Sequence, residues 1–132
     1  MNAEMLELAR RAVACDGWRW IYGTPARATF DGEEIRLTCL GSTPGSHTAD
    51  FYCLDYMEPW DNIHVDDQQG MGLVPDFDEP AAAGCLLHLV REVIGAQIST
   101  VKTSIGWMIP GVVETPQDTE IHALVRALKG NE

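Results

Sequence analysis

The residues from Pro75 to Gly95 predict one capped and largely buried helix, and the rest of the chain has to pack around it. Asp78 or Glu79 can accept hydrogen bonds from the free N–H groups of the first turn, while Pro80 occupies a position that needs no donor. Gly95 ends the helix. The apolar side chains recur at spacings of three and four residues, at Leu86, Leu87, Leu89, Val90, Val93 and Ile94. A stripe this broad predicts packing against a sheet.

Gly84 lies inside this helix. Glycine at such a position costs about 1 kcal/mol relative to alanine. We therefore expect another backbone to pass close to Gly84, where a side chain would not fit.

Two further helices are predicted at the ends of the chain. The first covers Asn2–Cys15, because apolar residues recur at helical spacing opposite a charged face. The last has Thr115 as its N-cap, Pro116 in its first turn and Gly130 at its end. Its apolar face consists of Ile121, Leu124, Val125 and Leu128.

Alternating and turn-forming residues predict the strands. Asp31-Gly32 is a strong hairpin signal and joins the strands Ala26–Phe30 and Glu34–Leu40. The remaining strands are predicted at Trp18–Tyr22, near Asp50–Met57 and Asn62–Val65, and in a second hairpin of Gln97–Thr103 with Trp107–Ile109. These elements predict a single α+β domain over residues 1–132. Its mostly antiparallel sheet contains both hairpins and the strand after the first helix, and its three helices cover one face.

The net charge of the chain disfavours several classes of partner. Nine basic and twenty acidic residues give a net charge of −11. This charge disfavours direct contact with nucleic acid or an anionic membrane and favours a protein with a basic surface. The sequence has no apolar run long enough to cross a bilayer and no signal-peptide pattern, so we expect a cytoplasmic protein. The four separated cysteines predict reduced thiols, not disulfides or a zinc site.

An interval at about residues 41–79 mixes acidic and aromatic side chains, and no lysine or arginine occurs between Arg36 and Arg91. The candidate partner-binding residues in it are Asp50, Tyr52, Asp55, Tyr56, Glu58, Trp60, Asp61, Asp66 and Asp67. The aromatic side chains would anchor an interface, and the carboxylates would form its charged rim or take the positions of nucleic-acid phosphates. Alternatively, the acids keep the protein soluble and the aromatic residues form a second core layer.

The tryptophans indicate an alternative function, the binding of a small molecule. Trp18, Trp20 and Trp107 could line a pocket that stacks against a small molecule such as a nucleotide signal. An anionic ligand of this kind would need Arg19, Arg27 or Arg36 in the same pocket. Core packing is the other interpretation of the tryptophans.

Catalytic and metal-binding patterns are weak. Cys53 could pair with His47 or His64 as nucleophile and base, but no flanking motif supports it. Asp61, His64, Asp66 and Asp67 offer metal ligands without the spacing of a calcium loop. We therefore expect a protein that is not an enzyme and has no cofactor or metal.

Two segments carry a resemblance. Residues Ala9–Trp20 (ARRAVACDGWRW), and Pro75–Pro80 (PDFDEP) with Gly84–Glu92 (GCLLHLVRE), resemble a set of small uncharacterised acidic proteins of phages and prophages. The resemblance covers about a quarter of the chain and implies no catalytic residue. It implies a setting in a bacterial host, where such proteins disarm defences or redirect host machinery. The resulting hypothesis is a monomeric or dimeric factor that blocks a host protein through its acidic face, most sharply an anti-defence inhibitor of the anti-CRISPR kind.

Overall fold

A computed structural model describes residues 1–42, 47–65 and 71–130. The helices and strands in chain order are α1 (Ala3–Val13), β1 (Pro25–Phe30), β2 (Glu33–Ser42), β3 (Thr48–Cys53), β4 (Glu58–His64), β5 (Val74–Pro75), α2 (Ala81–Val93), β6 (Val101–Thr103), β7 (Gly106–Ile109), β8 (Val113–Gln117) and α3 (Glu120–Lys129). All strand pairs among these residues are antiparallel. The predicted α+β fold with mostly antiparallel pairing is confirmed.

The strands form two sheets where the sequence predicted one. Five strands are ordered β4-β3-β2-β1-β5, and three are ordered β6-β7-β8. The predicted acidic interval supplies β3, β4 and β5, so much of it belongs to the larger sheet. Asp31 and Gly32 have φ angles of 55° and 80° and join β1 to β2 as predicted, because both positions of this turn need positive φ. The second predicted hairpin is formed by β6 and β7.

Trp18–Tyr22 is not a strand, contrary to its alternating pattern. The Trp18 N–H donates to the Cys15 carbonyl (3.0 Å) and the Thr24 N–H to the Ile21 carbonyl (3.2 Å), so a turn lies at each end of the segment. The carbonyl of Trp20 accepts from the Ser42 hydroxyl instead of from a neighbouring strand. The segment is therefore fixed by turns and by its tryptophan side chains.

The helix caps differ from two of the predictions. Pro80 is the N-cap of α2 and provides no side-chain hydrogen bond; Asp78 instead pairs with the chain's N-terminal ammonium at 3.2 Å. Thr119 caps α3 in place of Thr115, with its hydroxyl accepting from the His122 N–H at 3.1 Å. The helix begins later because the residues around Thr115 pair with β7 as β8.

The buried side chains form two hydrophobic clusters. One joins the three helices to β7 and β8, and it contains the predicted stripe residues Leu86, Leu89 and Val90. The other covers the inner face of the five-stranded sheet, around Phe51. Each fully buried large aliphatic side chain contributes about 1.5–3 kcal/mol. Trp18 packs against both clusters and so connects them.

None of the four cysteines forms a disulfide. Cys39 and Cys53 are buried, whereas Cys15 and Cys85 are partly exposed. Burial raises the pKa of the Cys39 thiol to about 11. Cys39 is therefore a small apolar core residue at neutral pH.

Gly84 does not contact another backbone. A Cβ at Gly84 would meet no atom within 4 Å, so the predicted close approach is wrong. We expect Gly84→Ala to raise the free energy of unfolding by about 1 kcal/mol, because alanine restricts the unfolded chain and favours the helix. Urea denaturation measures this change.

Gly17→Ala is a control that should have the opposite sign. A Cβ at Gly17 would lie 2.8 Å from Val93 Cγ2 and 2.9 Å from Leu128 Cδ1. Equal effects of the two substitutions would contradict this account of both glycines.

Candidate functional site

The five-stranded sheet curls strongly towards its buried face. Phe30 is on β1 and Trp60 is on β4, and two strands lie between them. A flat sheet would place β1 and β4 about 14 Å apart. The ring centroids are instead 5.1 Å apart, so the sheet is curled. The irregularities between Cys39 and Gly41 and between Ala49 and Phe51 contribute to this curl, since bulges increase twist and bend strands.

Phe30, Tyr56 and Trp60 form what we call the aromatic patch, at the end of the sheet where both hairpins turn. The centroid of Tyr56 is 5.8 Å from that of Trp60 and 6.1 Å from that of Phe30. Phe30 and Tyr56 nevertheless remain 43% and 42% exposed. The turn that carries Tyr56 also exposes Leu54 and Met57. Clustered apolar exposure of this kind is typical of interaction surfaces.

Carboxylates surround this patch, and we call Asp31, Glu33 and Glu58 the acidic rim. Desolvation raises the pKa of the Tyr56 phenol above its ordinary value, and the charges of Glu33 and Asp31 raise the pKa further. Glu58 accepts a hydrogen bond from Trp60 Nε1 at 3.1 Å. The patch therefore combines apolar rings with negative charge.

The predicted partner-binding residues do not share one face. Cross-strand pairing places Glu58 and Trp60 opposite Cys53 and Phe51, on the inner face of the sheet. Asp50, Tyr52 and Asp61 alternate with these inward-facing residues and lie on the outer face. Asp50 and Asp61 are exposed.

Two of these acids are used within the fold. The Asp50 carboxylate accepts from the backbone N–H of Asn62 at 2.9 Å. Asp55 accepts from the Arg36 backbone N–H (2.7 Å) and from its guanidinium (3.0 Å), and these bonds hold the Asp55 pKa below its usual value. Asp66 and Asp67 lie outside the described residues.

Phe30 was not among the residues predicted to bind a partner. Phe30 directly precedes the Asp31-Gly32 turn and alternates with Ala26 and Ala28, so its position on the inner face was readable from the sequence. Its contact with Trp60 was not readable, because it depends on the curl across four strands.

The tryptophans proposed as a pocket make core contacts. Trp20 is 5% exposed and lies edge-to-face with Trp18 and Phe51, at centroid distances of 5.3 and 5.4 Å. Trp107 packs against the helical cluster instead. These contacts favour the core interpretation of the tryptophans.

The three arginines proposed for that pocket are bonded to carboxylates elsewhere. Arg19 pairs with Glu92 through two nitrogens. Arg27 contacts Asp76 and Glu34, and Arg36 contacts Asp55. Each of these arginines therefore already neutralises a carboxylate of the fold.

The possible nucleophile and bases are far apart. Cys53 is fully buried at the turn end of β3, whereas His64 pairs with Thr48 at the opposite end. Five residues of strand separate these ends by roughly 16 Å. His47 precedes Thr48 and is equally remote. This placement argues against a Cys53–His pair.

Within residues 1–42, 47–65 and 71–130, no three His, Cys, Asp or Glu side chains are arranged to hold a metal ion. The predicted ligands Asp61 and His64 are thus not joined by a third ligand from the described residues. Nor does any helix in these ranges have the length and apolar character required to cross a membrane.

Comparison with known proteins gives no family. No protein-family model matches the chain, and no curated protein or solved structure has significant similarity to it. The functional interpretation therefore depends on the geometry of the aromatic patch and the acidic rim.

Proposed function

We propose that this chain is a non-enzymatic binding protein that uses the aromatic patch and the acidic rim to cover a basic surface of another protein. The observation that carries the proposal is the contact of three aromatic rings from separate segments at an exposed end of the sheet. Large aromatic side chains with restricted motion supply most of the affinity in many interfaces. The rings already contact one another in the free protein, so less side-chain entropy is lost on binding.

Charge supports a basic partner. Asp31, Glu33 and Glu58 surround the rings, and the whole chain carries a net charge of −11. Such a field speeds encounter with a basic protein, and lysine or arginine side chains of the partner could also stack on the rings. In its most specific form, the proposed function is to block the nucleic-acid-binding surface of the partner protein. A phage-encoded inhibitor of a host defence complex would act in this way.

Affinity capture with the immobilised protein tests the proposal. We expect host proteins captured by the wild type to be lost from the Phe30→Ser/Tyr56→Ser variant. Each such anchor contributes about 2 kcal/mol or more, so the double variant should bind at least a hundredfold more weakly. Release of the captured protein by added DNA or RNA would identify a nucleic-acid-binding surface as the target.

Leu40→Ser/Tyr22→Ser is the matched control. Tyr22 and Leu40 are exposed apolar side chains outside the aromatic patch. The control removes one tyrosine and one other large apolar side chain, as the test variant does. Identical capture by the wild type and both variants, or equal loss from both variants, would refute a role for the patch.

A further inference from the structure

A second candidate binding site lies among the helices, on different elements from the aromatic patch. The last turns of α1 and α3, the end of α2 and residues Gly111–Thr115 surround a groove of about 830 Å³. Sites that bury small ligands are typically 300–1,000 Å³. We call this cavity the basic groove.

The basic groove concentrates positive charge in an acidic protein. Arg11, Arg126 and Lys129 line it, three of only nine basic residues in the chain, together with the acidic residues Asp16 and Glu114. The lining therefore carries a small excess of positive charge, whereas the whole chain carries a net charge of −11. No acidic side chain of the described residues forms an ion pair with Arg11 or Arg126, whereas Arg19, Arg27 and Arg36 are all paired.

Helix electrostatics explains part of this arrangement. Arg11 and Arg126 lie in the last turns of α1 and α3, where positive charge offsets the helix dipoles. That interaction leaves the guanidinium N–H donors available, and each guanidinium has five. The two arginines can thus still bind carboxylates in a fork geometry.

The opposite wall of the basic groove is apolar. Val93 and Ile94 are 56% and 38% exposed, although their helical spacing had predicted burial with the rest of the α2 stripe. Among the described residues, no aromatic side chain lines the groove, so these residues offer no surface for stacking a nucleobase. A ligand that fits both walls carries carboxylates and aliphatic side chains together.

We infer that the basic groove binds an acidic peptide segment of a partner protein, with its carboxylates on Arg11 and Arg126 and its aliphatic side chains on Val93 and Ile94. This occupant follows from charge complementarity and from the apolar wall. The acidic remainder of the protein slows the approach of such a segment, so the affinity depends on contacts made inside the groove. The inference does not depend on the proposed role of the aromatic patch.

Fluorescence anisotropy with a labelled peptide of alternating glutamate and leucine tests the inference. We expect the wild type to bind this peptide and the Arg11→Gln/Arg126→Gln variant to bind it at least about tenfold more weakly, because charge-assisted hydrogen bonds are lost. Arg10→Gln makes the same charge change in the last turn of α1 but outside the groove, and should leave binding unchanged. The arginines are exposed, so thermal unfolding should show that the variants fold normally.

A peptide of alternating glutamate and serine measures how much the apolar wall contributes to binding. We expect it to bind more weakly than the glutamate–leucine peptide, since it cannot use Val93 and Ile94. Absence of binding to the wild type, equal binding by the double arginine variant, or equal binding of the two peptides would overturn the inference.

Discussion

Arg27→Met should lower the free energy of unfolding by about 3 kcal/mol, because it leaves a buried carboxylate without its cation. Arg27 Nε donates to Asp76 Oδ2 at 2.6 Å, and the Asp76 side chain is only 2% exposed. The other oxygen, Asp76 Oδ1, accepts from the Asp78 N–H at 3.1 Å. Arg27 also contacts Glu34 at 2.5 Å. The substitution thus disconnects β1 from the segment that leads into α2.

Arg36→Met is a closely matched control. Arg36 lies directly opposite Arg27 on the neighbouring strand and also pairs with an aspartate. Its partner Asp55 is solvent-accessible, so water can replace the lost guanidinium and the destabilisation should be much smaller. Chemical denaturation of both variants measures the difference. Similar losses would show that burial of Asp76 does not control the energetics of the Arg27 pair.

Elements with a local cause were predictable from the sequence. The Asp31-Gly32 hairpin depends on two residues that tolerate positive φ, and its register then follows from the alternation of apolar residues in β1 and β2. The helical stripe through Leu86, Leu89 and Val90 likewise follows from spacing. These parts of the fold needed no knowledge of distant contacts.

Elements whose structure depends on a choice between alternative packing or hydrogen-bonding partners were not predictable. Thr115 and Thr119 are both suitable N-caps, and the choice of Thr119 follows from the pairing of β8 with β7. Trp18 and Trp20 alternate as in a strand, but turns at both ends and packing between two clusters fix the segment instead. Val93 and Ile94 continue the α2 stripe yet border the basic groove. The spacing of apolar residues along a helix does not show at which residue the hydrophobic core ends.

The candidate site was predictable only in the part that depends on local sequence. Tyr56, Trp60 and Glu58 were identified from the mixture of acidic and aromatic residues, and the structure brings them together. Alternation along β3 and β4 sends Asp50 and Asp61 to the outer face, so proximity in sequence did not mean a shared surface. Phe30 joins the patch through the curl of the sheet, which is a property of several strands at once.

Gly106→Ala should destabilise the protein by about 3 kcal/mol, through two effects that act together. Gly106 has a φ of 145°, which side chains other than hydrogen rarely permit. A Cβ there would also lie 2.6 Å from the carbonyl oxygen of Gln117 and 3.0 Å from Pro116 Cβ. Both neighbours are on β8, so the clash separates β7 from its partner strand. Urea denaturation measures the loss.

Gly111→Ala is a control that separates the cost of backbone strain from the cost of a steric clash. Gly111 has a φ of 80°, but a Cβ there would meet no atom within 4 Å. This control should therefore cost only the backbone strain, about 1 kcal/mol. The excess for Gly106→Ala then measures the close approach of β7 and β8, which positions Trp107 opposite Gln117. Equal losses from the two substitutions would mean that β8 moves aside easily and that this close contact does not stabilise the smaller sheet.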